Sequence, residues 1–246
     1  MSPPPLSIPN ALIDRDGYLV RKNDRVILAH NEQQLLIPAS TWKIATALMT
    51  FSRLGEEHRF ETNLFLIDND LYIKGFGDPL LVSEEVGEIV ATLVSQGITS
   101  VHDIVVDDSF FQLNHAAAHG STPSLQPYDA ANSGLAINFN PINITVATDG
   151  TVRSAEPQTP LLPVMSTMAA KLPPGAHRVN LSQDIARSHR YVGELFQAFL
   201  LQQGVTISGS IKSAPVPDGA KPTYRHASSA SLTEIVRAIC AIRTTS

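Results

Sequence analysis

The hydrophobic pattern of the chain switches repeatedly between a period of two and a period near 3.6, the signatures of strand and helix. Residues 17–22 and 25–30 alternate on either side of Asn23-Asp24, which predicts a β-hairpin. Beyond Pro38, the residues Trp42, Ala45, Met49 and Leu54 recur at helical spacing. They predict a helix that starts near Ser40, buries Trp42 in its apolar stripe and stops at Gly55. Residues 60–73 alternate like two strands joined at Asp68-Asn69-Asp70, followed by a turn through Gly75-Phe76-Gly77-Asp78-Pro79. Residues 82–96 form an amphipathic pattern with Gly97 as its stop, and residues 100–106 return to strand character. Residues 136–147 read as a strand, with Asn138 and Asn140 alternating against Ile137 and Phe139 as on a half-buried face. A proline-rich stretch, residues 153–178, reads as loop. A helix over 188–203, a strand over 205–211 and a polar linker to Ala230 complete the middle of the chain. The last helix opens with Ser231-Leu232-Thr233-Glu234, the spacing of a capping box. No internal repeat is visible. The order of elements places the chain in the mixed α/β (α+β) class.

Composition narrows the functional classes. At 246 residues with 43% hydrophobic and 17% charged positions, the chain can bury a sizeable core. A net charge of -5 and the lack of a basic stripe argue against a nucleic-acid partner. No apolar run approaches the roughly 20 residues of a transmembrane helix, so no transmembrane segment is expected. The start, Met1-Ser2-Pro3-Pro4-Pro5-Leu6, lacks a basic and then apolar leader, so no signal peptide is expected in these residues. A single cysteine, Cys240, excludes an internal disulfide framework.

The chemistry-bearing candidates are few. Ser40 and Lys43 stand three apart, a spacing that places both on one helix face. A serine hydroxyl becomes a nucleophile when a neighbouring base takes its proton, and a desolvated lysine can be that base. The same four residues also describe a helix N-cap followed by a solvated lysine, and the tetrapeptide alone does not separate the two. His115 and His119 have i, i+4 spacing, but Ala116-Ala117-Ala118 between them supplies no further ligand, so they read as loop histidines. Gly75-Phe76-Gly77 lacks the third glycine of a phosphate loop. Asp107-Asp108 is either a cation- or ammonium-binding pair or a strand-end turn.

Taken in order, several phrases resemble the class C penicillin-binding D-alanyl-D-alanine carboxypeptidase/endopeptidase family (peptidase family S13). They are residues 38–48, Arg53-Leu54-Gly55 with Phe60-Glu61-Thr62, residues 71–80, residues 105–111, residues 126–130, Asn138-Phe139-Asn140 and residues 191–196. The resemblance implies a β-lactamase/transpeptidase-like domain from residues 1–62 and 186–246, with a strand-rich second domain inserted over residues 63–185. It implies that Ser40 is the acylated nucleophile, Lys43 its proton acceptor, and Asp107 the acid of an Asp-x-Ser element near the substrate's side-chain amine. The implied substrates are peptidoglycan stem peptides, with β-lactams as inhibitors, no metal or organic cofactor and a periplasmic location. Two alternatives accompany this reading. One is a catalytically dead peptidoglycan-binding fragment, and the other is a serine β-lactamase, which shares Ser-x-x-Lys but not the long insert.

Members of the family carry two later motifs, Ser-x-Asn and Lys-Thr-Gly, and neither occurs where the resemblance expects it. Suitable codons for residues 239–246, read two bases further on, spell Met-Arg-Tyr-Ser-Asn-Asn-Phe, the phrase that holds Ser-x-Asn. A frameshift just after Ala238 is therefore expected to truncate the chain, and an uninterrupted reading frame with other codons would dismiss it. Because groups acting as one catalytic unit lose nearly everything together, little peptidase activity is expected of the 246 residues. The hairpin near residues 17–30 is expected to lack sheet partners.

Overall fold

A computed structural model describes residues 17–111, 124–182 and 184–241. His115 and His119 lie outside the described residues. The chain divides into two units, residues 1–53 and 54–246.

In the first unit, β1 (Tyr18–Lys22) and β2 (Arg25–His30) form the expected hairpin, with Asn23 in the left-handed region at the turn. Among the described residues these strands pair only with each other. A 3-10 turn, Ala39–Thr41, leads into α1 (Trp42–Leu54). The helix ends where glycine was expected to end it, with Gly55 at φ +87°. Its apolar stripe is not buried, however: Trp42 is 62% exposed and Met49 68%. A two-stranded hairpin carries too little apolar surface to enclose a helix face.

The second unit is built on a five-stranded mixed sheet in the order β11-β6-β4-β3-β12. β3 (Glu61–Ile67) and β4 (Asp70–Gly75) are the predicted antiparallel pair, turning at Asp68 and Asn69, both with positive φ. The chain then crosses through α2 (Ser83–Ser95) to β6 (Ile104–Asp107), which lies parallel to β4. β11 (Ile211–Ser213) extends the parallel part, and β12 (Tyr224–Ala227) pairs antiparallel with β3. A short parallel pair, β5 (Ser100–Val101) with β10 (Thr206–Ile207), continues alongside. A separate antiparallel sheet joins β8 (Val152–Ser154), β7 (Pro141–Val146) and β9 (Gly175–Asn180). α3 (Pro163–Ala169) and α4 (Ile185–Gln202) pack between these sheets and α2, and their apolar faces meet in one core. Leu64, Ile73, Ile89, Ile104, Ile144, Tyr191 and Phe196 are all essentially inaccessible there. Burying one such side chain contributes about 1.5–3 kcal/mol. α5 (Leu232–Cys240) is opened by the predicted capping box, Ser231 N donating to Glu234 Oε2 (2.7 Å) and Glu234 N to Ser231 Oγ (3.4 Å).

Elements from both sides of residue 185 share the second unit, and several local expectations are corrected. α4 supplies the centre of the second unit's core, and β12 completes the sheet that β3 begins. The proline-rich stretch holds α3 and most of β9, because Pro163 stands in the first turn of its helix, where a missing N–H costs nothing. The polar linker contains β12, whose alternation is too short to read. Residues 136–140 are not strand. Asn138, Phe139 and Asn140 have φ of 51°, 63° and 65°, three successive non-glycine residues in the left-handed region. Such a conformation costs roughly 1–2 kcal/mol for an ordinary side chain. Two buried amides offset it. Asn138 Oδ1 accepts from Ser83 N (3.0 Å), in place of the side-chain cap α2 lacks. Its Nδ2 donates to Ser83 Oγ and Tyr191 OH (both 2.8 Å). Asn140 Oδ1 accepts from Ser188 Oγ (3.0 Å), and its Nδ2 donates to the Ala131 carbonyl (3.3 Å). The turn thus ties the starts of α2 and α4 together.

Candidate functional site

The predicted nucleophile and base lie in the first unit. Ser40 occupies the 3-10 turn and is exposed, so an acyl donor can reach it. Lys43 follows in the first turn of α1 and is also exposed. Thr41 fixes the approach, donating its backbone N–H to the Pro38 carbonyl (3.0 Å) and its hydroxyl to the same oxygen. Ala39, immediately before the serine, has φ +45°, a left-handed conformation that an alanine does not adopt without strain. Strain of this kind collects where a structure over-determines a functional side chain.

Asp107 lies in the second unit, at the end of β6, where a cavity of about 450 Å³ opens. Its carboxylate is 1% exposed and fully engaged. It accepts from Ser109 N (2.9 Å) and Val216 N (2.8 Å) and pairs with Lys74 Nζ (3.0 Å). Burial opposes its ionisation, but the bonds from Ser109, Val216 and Lys74 outweigh burial and hold the carboxyl below its usual value. Lys74 already places an ammonium against this acid.

The neighbouring Asp108 is held differently. Its Oδ1 accepts from Ser133 Oγ and Leu135 N (both 2.9 Å), and its Oδ2 faces His189 Nε2 at 3.4 Å. His189 Nδ1 in turn lies 3.0 Å from Ser213 Oγ. Asp108, His189 and Ser213 line the cavity together, although they come from just beyond β6, the second turn of α4 and the end of β11. The order of contacts imitates a proton relay, yet acyl transfer also needs backbone donors for the oxyanion. Beside Ser213 the Ala214 N–H is spent on the Val106 carbonyl (3.2 Å), and residue 215 is proline. The chain therefore suits binding of a polar group better than nucleophilic attack. Asp108 was legible as one half of an acidic pair, whereas His189 and Ser213 carried no local signal.

Among the described residues, one cluster has the composition of a metal site: Asp70, His102 and Asp103. Lys212 Nζ pairs with Asp103, and Ser210 N donates to the same carboxylate (2.7 Å). Lys212 and Ser210 draw the Asp103 pKa down to about 2. The cationic position is filled by the protein's own ammonium, so the cluster is a structural ion pair. No helix among the described residues is long and apolar enough to cross a membrane.

One solved structure and two curated proteins frame these observations. The crystal structure of penicillin binding protein 4 (dacB) from Haemophilus influenzae superposes with a TM-score of 0.68 at 20% identity, over 85% of this chain and 55% of that one. The likeness establishes a shared fold. D-alanyl-D-alanine carboxypeptidase of Actinomadura sp. (strain R39) is 26% identical over 227 residues, 74% of this chain and 42% of that protein. D-alanyl-D-alanine carboxypeptidase DacB of Haemophilus influenzae is 30% identical over 106 residues, 39% of this chain and 22% of that protein. The chain thus spans less than half the length of these curated relatives. Residues 17–241, nearly the whole chain, match the family model of D-Ala-D-Ala carboxypeptidase 3 (S13), and the chain belongs to that family.

Proposed function

We propose that this chain carries the acylating serine of a D-Ala-D-Ala carboxypeptidase/endopeptidase, with Ser40 as nucleophile and Lys43 as its proton acceptor. The observation that supports this most directly is an exposed serine on a strained turn at the head of α1, with a lysine three residues on, in a chain of the S13 family. In the proposed reaction, Lys43 takes the Ser40 hydroxyl proton. The freed Oγ attacks the carbonyl carbon of the penultimate D-alanine. The C–N bond breaks, the leaving amine gains a proton, and an ester to Ser40 remains until water hydrolyses it. The Ser40 backbone N–H is the one oxyanion donor proposed within residues 38–43. No metal or organic cofactor enters the scheme. β-Lactams, which present a strained amide to the same serine, are expected to trap the ester. A periplasmic site of action follows from a peptidoglycan substrate.

The cavity beside Asp107 suits the amine-bearing side chain of a stem peptide. Because the oxygens of Asp107 are already engaged, its neighbour Asp108 is the carboxylate that would receive such an amine in the cavity. A second reading, a binding form with little turnover, rests on the exposure of Lys43, because desolvation is what favours the base form of a lysine.

Fluorescent penicillin separates these readings. Slow labelling that maps to Ser40 by peptide mass spectrometry, lost in Ser40→Ala and reduced at least tenfold in Lys43→Ala, supports the first. Labelling of Ser40→Ala equal to wild type would refute it. Rapid loss of the label from the wild type would favour a β-lactamase.

A further inference from the structure

The left-handed turn at Asn138-Phe139-Asn140 rewards its two asparagines with buried hydrogen bonds and gives Phe139 nothing comparable. The Phe139 side chain is 53% exposed. A fold that required only the turn would be served better by glycine, which adopts positive φ without penalty. The ring is instead held outward between two buried anchors.

On one side of Phe139 lies a cleft of about 500 Å³ lined by Glu84, Asn143, Glu156, Gln158 and Arg178. Glu156 is fixed there by Asn143 Nδ2, which donates to its Oε1 (2.7 Å). On the other side a cleft of about 530 Å³ is bounded by Asp78, Pro79, Phe111 and Asn132. In its wall Asp78 is 4% exposed, and its Oδ2 has no hydrogen-bond partner among the described residues. Phe139 belongs to both clefts, so a ligand longer than one ring can pass over it.

We propose that Phe139 is the stacking platform of a saccharide site that takes an N-acetylhexosamine oligomer. A pyranose has an apolar C–H face and a rim of groups that both donate and accept. An aromatic ring matches the face, and planar amide, carboxylate and guanidinium side chains match the rim. The two carboxylates accept from hydroxyl and acetamido N–H groups, and Arg178 donates to the acetamido carbonyl. Other ligand classes fit less well. Glu84 and Glu156 repel a polyanion, and an apolar peptide would leave three charged side chains unmatched. The site does not depend on the chemistry assigned to Ser40.

The test is titration of the full chain with chitotetraose, followed by two-dimensional NMR, together with cellotetraose as the non-acetylated control. Saturable shifts confined to residues 82–84, 138–143 and 155–178, at least tenfold weaker for cellotetraose, are expected. Phe139→Gly is expected to weaken binding at least tenfold while raising the melting temperature, and Phe139→Leu to weaken it about threefold. Arg178→Ala should weaken binding without changing the melting temperature. Absence of saturable shifts in the wild type, equal binding by Phe139→Gly, or a lower melting temperature for that variant would overturn the proposal. The last result would mean that the ring serves the fold.

Discussion

Replacing Asn138 by alanine probes the joint on which the second unit turns. The side chain caps α2 through Ser83 N, reaches Ser83 Oγ and donates to the Tyr191 hydroxyl in the core. Ser83 Oγ keeps a second partner in Thr159 Oγ1 (2.7 Å), so its loss is softened. The Ser83 N–H and the Tyr191 oxygen are not compensated, and both residues are buried. Each orphaned buried group costs about 1–3 kcal/mol. Alanine at φ +51° adds about 1 kcal/mol, because it lacks the local bonding that lets asparagine tolerate this region. The expected loss is about 5 kcal/mol, a large share of the 5–15 kcal/mol typical of a domain. Urea denaturation followed by far-UV circular dichroism measures it. The single tryptophan, Trp42, lies in the first unit, so its fluorescence is the wrong probe. A cycle with Tyr191→Phe should show coupling of about 1 kcal/mol. A loss below 1 kcal/mol, or no coupling to Tyr191, would refute the idea that this turn joins α2 to α4.

Three further expectations concern packing and charge. A Cβ on Gly75 would stand 2.2 Å from the Gly134 carbonyl oxygen and 2.6 Å from Leu135 Cα, backbone that cannot rotate away. Gly75→Ala should therefore cost about 3 kcal/mol in the same urea assay, and a change under 0.5 kcal/mol would contradict the close approach. Burial raises the Asp78 pKa against the opposing bonds from Leu80 and Ser228, so the folded state holds this proton more tightly than the unfolded chain. Its contribution is complete below about pH 4 and is lost as pH rises through the folded-state value. Asp78→Asn should thus gain of order 1 kcal/mol at pH 7 and nothing at pH 3, as read from paired denaturation curves. Asp103 shows the opposite sign: with its pKa drawn down to about 2, stability is present above its ordinary value of 3.8 and lost as pH falls towards 2. Lys212→Met should flatten that acid limb in a pH series of melting temperatures, and an unchanged limb would count against the ion pair.

Much of the fold could be read before any coordinates, wherever the cause was local. The β3–β4 pair, α2 with its Gly97 stop, and the capping box of α5 each follow from periodicity and one or two punctuating residues. Short-range rules fail where a partner lies far along the chain. β12 has four residues and no strong alternation, and it becomes a strand because β3 offers an open edge. Trp42 was expected inside because helical spacing marks a face, but spacing does not say whether any layer covers that face.

The candidate chemistry divides along the same line. Ser40 and Lys43 were visible in the sequence because their relation is a spacing of three residues. Asp107 was visible as a residue, but its commitment to Lys74, Ser109 and Val216 was not, since two of those partners come from other strands or loops. Asp108, His189 and Ser213 meet only because β6, α4 and β11 converge on one cavity. Asn138 and Asn140 show the contrast most sharply. As alternating residues they spelled a half-buried strand. Tertiary hydrogen bonds to α2 and α4 instead hold them, and Phe139 between them, in a conformation that local preference alone would reject. Local sequence determines what a segment can do cheaply. The packed structure decides which costly conformations are worth keeping, because only there do distant donors and acceptors arrive to offset them.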